Sequence, residues 1–368
     1  MIWFWIGFFA LVALLLFLDL GVFHRKSHTM SFREAGAWTV GWVILGLSFG
    51  GVVYLIYGNH WFDVRMVDDR GRVASGFGAA STYWAGYLLE QALSVDNIFV
   101  ISLVFKQFRV PTAYQHRILF WGIIGAIFFR VSMLAGGVWL ARTFDWIFYI
   151  FGGYLAWQGL KLLRSEEDED GVPAEGFAVK ILRRMVRIVD GHHDGKLVVR
   201  DHRGRRALTT LAVCLVVVEL TDIVFALDSI PAVLSVSQES FIVITSNIFA
   251  IMGLRSLYFV LAGAMDKFHY LKLSLAVLLV MIGAKMVLHN HVHFSHELSL
   301  GLIAGILAVG VVASILSKPK HADGDADAAA DGDDGDGDGD GDGDGDGDAA
   351  PGDDGDAAAQ PPSDPKAS

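Results

Sequence analysis

The chain has 368 residues, of which 53% are hydrophobic, and its mean hydropathy is +0.46. With repeated apolar runs of about 20 residues, this composition excludes a water-soluble enzyme and indicates a polytopic membrane protein. The net charge of −11 is local: residues 318–368 carry 17 Asp against Lys318, Lys320 and Lys366, leaving residues 1–317 at +3.

Nine apolar spans are predicted, roughly 2–23, 35–57, 80–105, 116–140, 145–163, 209–236, 241–264, 270–289 and 297–316. The first starts at Ile2 with no basic segment before it and no small-residue cleavage site after it, so it reads as an uncleaved span. Asp19, near its end, is expected to snorkel to the interface or pair with Arg25. Basic residues cluster in alternate connections: Arg25, Lys26 and Arg33, then Lys106, Arg109 and Arg117, then a dense set from Arg164 to Arg206, then Lys267 and Lys272, then Lys318 and Lys320. The positive-inside bias therefore puts the N-terminus outside and the C-terminus in the cytoplasm.

The third span holds Tyr87-Leu-Leu-Glu90-Gln-Ala-Leu-Ser-Val-Asp96-Asn97-Ile98, which aligns without gaps to Glu219-Leu-Thr-Asp222-Ile-Val-Phe-Ala-Leu-Asp228-Ser229-Ile230 in the sixth. Arg130 then matches Arg255 one span later, and Gly159-Leu-Lys161 matches Gly283-Ala-Lys285 in the span after that. A repeat of three spans, with no further span in residues 165–208, must cross the membrane in opposite directions in its two copies. That is the inverted-repeat plan of many secondary transporters, whose substrate site lies at midplane on interrupted helices. The expected fold class is therefore all-α: about nine transmembrane helices in residues 1–317, with repeat one near 80–164, repeat two near 209–289, and broken helices at midplane.

Between the repeats, residues 165–206 form a cytoplasmic insert. Val179 to Val189, with Arg183, Arg184 and Arg187, reads either as a basic amphipathic helix on the inner leaflet or as a solvated linker. Residues 318–368, an Asp-Gly alternation, cannot bury enough apolar surface to fold and read as a disordered cytoplasmic tail. No Glu follows Glu297, so the tail also lacks the last ligand of an EF-hand loop. His289, His291, His293 and His296 read as an outward-facing solvated loop, and Met133, Met252 and Met281 as packing or lipid-facing residues. The single cysteine, Cys214, excludes a disulfide framework and a cysteine-based metal site.

A carboxylate near the bilayer centre costs at least about 2.5–3.5 kcal/mol on insertion scales, so three in the sixth span call for a partner such as a cation. Glu219 and Asp222 share a helical face, while Asp228 lies roughly half a turn of azimuth from Glu219. Pro231 supplies a reason for a helix break, since its ring clashes with the carbonyl of Leu227. Glu90, Asp96, Glu219, Asp222 and Asp228 are the candidate ligands of a divalent cation, with Asn97, Thr221 and Ser229 as supporting oxygens. Hard cations such as Mg²⁺, Ca²⁺ and Mn²⁺ prefer this donor set. The alternative is ion pairing of these acids with Arg130, Lys161, Arg255 and Lys285, and the two coexist if the basic residues serve as counter-charges. Carboxylates this close would share a proton when no metal is bound, so exchange of metal for protons follows as a hypothesis.

Glu90-x5-Asp96-Asn97-Ile98, Glu219-x2-Asp222-x2-Phe225-Ala226-x-Asp228-Ser229-Ile230-Pro231-Ala232-Val233 and Ser246-Asn247-Ile248-Phe249-Ala250-Ile251-x-Gly253-Leu254-Arg255-Ser256-Leu257-Tyr258 resemble the TerC/Alx family of integral membrane proteins. His193-Asp194-Gly195-Lys196-Leu197 resembles the segment that precedes the second motif there. The resemblance covers about residues 1–317 and implies a bacterial inner-membrane exporter of manganese, grouped with LysE-type exporters and historically tied to tellurium resistance. It also implies that the five acids contact the metal. On this reading the protein is not an enzyme and has no cofactor: Mn²⁺ is cargo, and the partners are protons and the bilayer, with no nucleic acid. The competing classes are a non-transporting membrane scaffold in tellurite or envelope-stress resistance and an intramembrane aspartyl protease. The protease is disfavoured because Asp96 and Asp228 lack a Gly-x-Gly-Asp surround.

Overall fold

The computed structural model describes residues 2–21, 32–61, 73–164, 187–189, 191, 195–200, 204–262, 269–288 and 295–316. Its helices are α1 (Ile2–Gly21), α2 (Phe32–Gly58), α3 (Gly76–Gln107), α4 (Thr112–Thr143), α5 (Ile147–Arg164), α6 (Thr210–Leu234), α7 (Ser240–Met252), α8 (Leu254–Ala262), α9 (His269–Val287) and α10 (His296–Leu316). Six of them are long and apolar enough to cross a membrane, or seven if the bent pair α7 and α8 counts as one span. Large apolar side chains on α1 and α10, such as Phe17, Val309 and Ile315, lie exposed, as a hydrocarbon solvent allows and water does not. The chain is a multi-pass, mainly helical integral membrane protein.

The helix α3 sits inside the bundle, packed against α2, α6, α7, α8 and α10. Its N-terminus is capped by Ser75, whose Oγ accepts from the Gly78 amide at 3.0 Å. The first turns are small residues: a Cβ on Gly76 would meet the Tyr54 carbonyl at 2.6 Å, and one on Gly86 would meet Ser246 Oγ at 3.0 Å. Ser81 and Thr82 donate their hydroxyls to the Gly78 carbonyl, which satisfies both side chains within the helix. Small residues bring backbones close where no hydrophobic effect drives helices together.

The helix α6 packs against both α3 and α4. It buries Val217, Val218, Thr221, Asp222 and Ser229 and exposes Leu220, Val224 and Leu227, an apolar stripe at helical spacing. The break expected at Pro231 does not occur. The helix runs through Pro231 to Leu234, and the Ser235 amide donates to the Pro231 carbonyl at 3.0 Å. Pro231 falls in the last turn; lacking an N–H, it leaves the Leu227 carbonyl without that backbone donor, and the helix continues only three residues further. The interruption lies instead at Gly253, where α7 and α8 meet at 45°.

A second correction concerns the insert. Ile188–Val189 (β1), Val198–Arg200 (β2) and Arg206–Thr209 (β3) form a three-stranded sheet in the order β1-β3-β2, with β3 parallel to β1 and antiparallel to β2. The fold is thus helical with a small sheet leading into α6. The last two residues of the stretch read as amphipathic helix or linker, Ile188 and Val189, are β-branched and form a strand against β3. Residues 179–186 of that stretch, the histidines at 289, 291 and 293, Arg25 and the tail lie outside the described residues.

Candidate functional site

Arg130, 2% exposed, comes from the middle of α4 and stands between α3 and α6. Its Nε donates to Asp222 Oδ2 at 3.2 Å and its Nη2 to Asp222 Oδ1 at 2.9 Å, a two-pronged hold on one carboxylate. Arg130 Nη1 forms an ion pair with Glu90, which is fully buried on α3, and donates to Ser229 Oγ at 3.4 Å. With its amide oriented to satisfy both ends, Asn97 accepts from Arg130 Nη2 at 3.0 Å and donates to the Leu93 carbonyl at 3.2 Å. One guanidinium thus gathers Glu90, Asn97, Asp222 and Ser229 from two helices.

Glu219 lies one turn before Asp222, within reach of its charge and against Gly125 of α4, where any Cβ would overlap the carboxylate. Glu219 Oε2, Glu90 Oε2 and Ser94 Oγ are buried without a hydrogen-bond partner among the described residues, as are both amide atoms of Asn247 on α7. Buried polar atoms of this kind mark places where water or a bound ion completes the coordination. Thr221, also buried, donates to the Val217 carbonyl at 2.8 Å.

Asp228 faces a different helix. Its Oδ1 accepts from Tyr154 Oη at 2.5 Å and from Gln158 Nε2 at 2.9 Å, both on α5. Asp96 on α3 lies within electrostatic range of Asp228 and of Lys272 on α9. The five candidate acids therefore fall into an inner group around Arg130 and a second group in which Asp228 is tied to α5. Among the described residues, no three His, Cys, Asp or Glu groups lie close enough together to hold one metal ion.

The other basic residues of the repeats sit elsewhere. Arg255 pairs with Asp19 at 2.5 Å, both buried, so Asp19 is held inside the protein rather than snorkelling, while Arg25, its other expected partner, lies outside the described residues. Lys285 Nζ donates to the Ser235 carbonyl at 3.2 Å and to Ser299 Oγ at 3.0 Å. Lys161 is exposed, 5.6 Å from the Trp157 ring centre. Met252 is buried in the core, and Met133 and Met281 pack against it. The sequence reading missed Tyr154 and Gln158, although polar side chains four apart on one face of an apolar helix were a usable signal.

The family model described as the integral membrane protein TerC family matches residues 76–322, a stretch that contains all five acids. This chain belongs to the TerC family. Among relatives of this TerC-family protein, an uncharacterized membrane protein of Myxococcus xanthus, STKORF319, is 44% identical over 321 residues, covering 86% of this chain and 93% of that one. Alx of Escherichia coli K12, named as a membrane-bound redox modulator, is 40% identical over 318 residues, covering 86% and 95%. An uncharacterized membrane protein of Rickettsia felis is 37% identical over 314 residues, covering 85% and 98%. No solved structure matches.

Proposed function

We propose that this TerC-family protein is a secondary transporter that exports divalent cations, Mn²⁺ first among them, from the bacterial cytoplasm in exchange for protons. The proposal places it in the inner membrane with nine spans, N-terminus outside and C-terminus cytoplasmic, and builds the transport core from two inverted units, α3–α5 and α6–α9.

The observation that carries the reading is the meeting of acids from α3 and α6 at one buried arginine. Helix direction supports the inverted units. The glycines of α4 fall against α6 in matching order, Gly122 on Val218, Gly125 on Glu219 and Gly137 on Ile230, so α4 and α6 run the same way. The helix α4 turns back from α3 after four residues, with Arg109 at φ 48° in the connection, and Glu90 and Arg130 lie at nearly equal distances from that turn. Thus α3 and α6 run oppositely. So do α5 and α9: Gly152 meets Gly283 and Met286, while Gly159 meets Ala276 and Val280. Grouped carboxylates away from water call for cationic charge in both half-cycles, which a divalent ion supplies in one and protons in the other.

The test is flux into vesicles containing the purified protein and a metal-sensitive dye, offered Mn²⁺, Ca²⁺, Mg²⁺ and Zn²⁺ with and without a pH gradient. Asp228→Asn keeps the shape and an acceptor for Tyr154 and Gln158, so the protein should fold while Mn²⁺ flux falls by about tenfold or more. Wild-type vesicles that move none of the four ions, or unchanged flux in Asp228→Asn, would overturn the proposal. The name of the Alx relatives favours a second reading, a membrane scaffold that modulates redox or envelope stress without transport of its own. On that reading, cells lose the stress phenotype when partners are removed, and vesicles carry no flux. Tellurium resistance follows from the first reading as a secondary effect of metal handling.

A further inference from the structure

We infer that Arg130 is a tethered stand-in for the cargo, holding the site's acids while no divalent ion is bound and releasing Asp222 when one arrives. This deepens the transport reading and rests on it.

Three observations carry the inference. Arg130 touches four of the eight candidate ligand residues at once, Glu90, Asn97, Asp222 and Ser229, and no other basic side chain shows such contacts among the described residues. Second, its hold on Asp222 uses both carboxylate oxygens, the atoms a hard cation would take at about 2.0–2.6 Å. A guanidinium and a metal ion cannot occupy that face together. Third, no three acidic, histidine or cysteine groups among the described residues approach closely enough for one metal, and Glu90 and Asp222 are both ion-paired to the same guanidinium. Glu90 Oε2 and Glu219 Oε2, buried and without a hydrogen-bond partner among the described residues, are oxygens a newly bound cation can collect beside the freed Asp222.

An arginine suits the task for chemical reasons. It stays charged, so the acids always have a cation, and its planar fork matches a carboxylate. It carries one charge where the cargo carries two, so in the metal-free half-cycle it offsets part of the acids' charge and the exchanged protons offset the rest. The displaced guanidinium also reports occupancy from α6 to α4, which gives alternating access a physical trigger.

The test is equilibrium binding of manganese chloride to the purified full-length protein at fixed pH, measured by titration calorimetry. In Arg130→Gln the competitor is gone, and Mn²⁺ binds on the order of tenfold tighter than in wild type, while vesicle flux slows. Arg130→Lys keeps the charge but loses the two-pronged hold, so its affinity falls between the two and its tightening is smaller. Should the Gln variant fail to fold, the Lys variant carries the test. Unchanged or weaker binding in the folded variant shows that Arg130 is only a structural clamp and overturns the inference. Wild-type protein that binds no Mn²⁺ overturns the export reading along with it. Wild-type binding without tightening overturns the role of Arg130 alone.

Discussion

A carboxylate shielded from water must be met by a donor, and Asp19 meets one in Arg255 at 2.5 Å, 236 residues away along the chain. Both side chains are buried, so the pair is not the weak kind found at surfaces. Asp19→Ala removes the carboxylate from a buried guanidinium and should cost about 3 kcal/mol, read as a lower thermal midpoint in detergent. Arg255→Met added to Asp19→Leu should recover most of that loss, since an apolar pair of similar volume needs no counter-charge. Full additivity of the two single changes would show that the pair is not coupled. Local patterning placed Asp19 at the end of a span and so suggested Arg25. It could not find Arg255, because nothing in either segment marks a partner on another helix. Tyr154 and Gln158 are a different case: their spacing of four marks a polar face on α5, but only the packing shows that Asp228 is what that face meets.

The helices α5 and α9 pack against each other through glycines that bring their backbones close. A Cβ on Gly283 would meet the Ala156 amide nitrogen and the Gly152 carbonyl oxygen, both at 2.6 Å. These are backbone atoms and cannot swing aside. Gly283→Val should therefore push the helices apart and cost about 1–3 kcal/mol, with reduced yield of folded protein in the membrane. Gly153→Ala is the matched control: no atom lies within 4 Å of its would-be Cβ, so stability should stay within about 0.5 kcal/mol. Thermal unfolding of the two purified variants checks the pair of expectations. The matching of Gly159 to Gly283 was legible as a repeat, but that these helices face one another was not. The helix α6 gives the converse lesson. Pro231 suggests a break that the helix does not make, because it sits in the final turn, three residues before the helix ends.

For the whole molecule, the net acidity and the candidate acids lie in separate stretches of sequence. All five candidate acids fall between residues 90 and 228, and the 17 Asp of residues 318–368 lie in a low-complexity stretch of the chain. A chain ending at Ser317 should reach the membrane and carry Mn²⁺ flux equal to that of the full chain, measured in the same vesicles. A large loss would make the tail part of the transport machinery. The insert does not lend itself to the same deletion, since β3 runs directly into α6 and its Thr209 caps that helix.

The multi-pass helical character is legible from residue order alone. Apolar run length is a local signal, and a bilayer makes it strong because every backbone polar group must be satisfied within its own segment. The same signal picked out Glu90, Asp96, Glu219, Asp222 and Asp228, since acids in lipid stand out against their surroundings. Only the tertiary structure decided which charge answers which. It put Arg130 rather than Arg255 among the acids, tied Asp228 to Tyr154 and Gln158, and moved the helix break to Gly253. Those outcomes depend on which faces of distant helices meet, a matter of packing across hundreds of residues that no local pattern encodes.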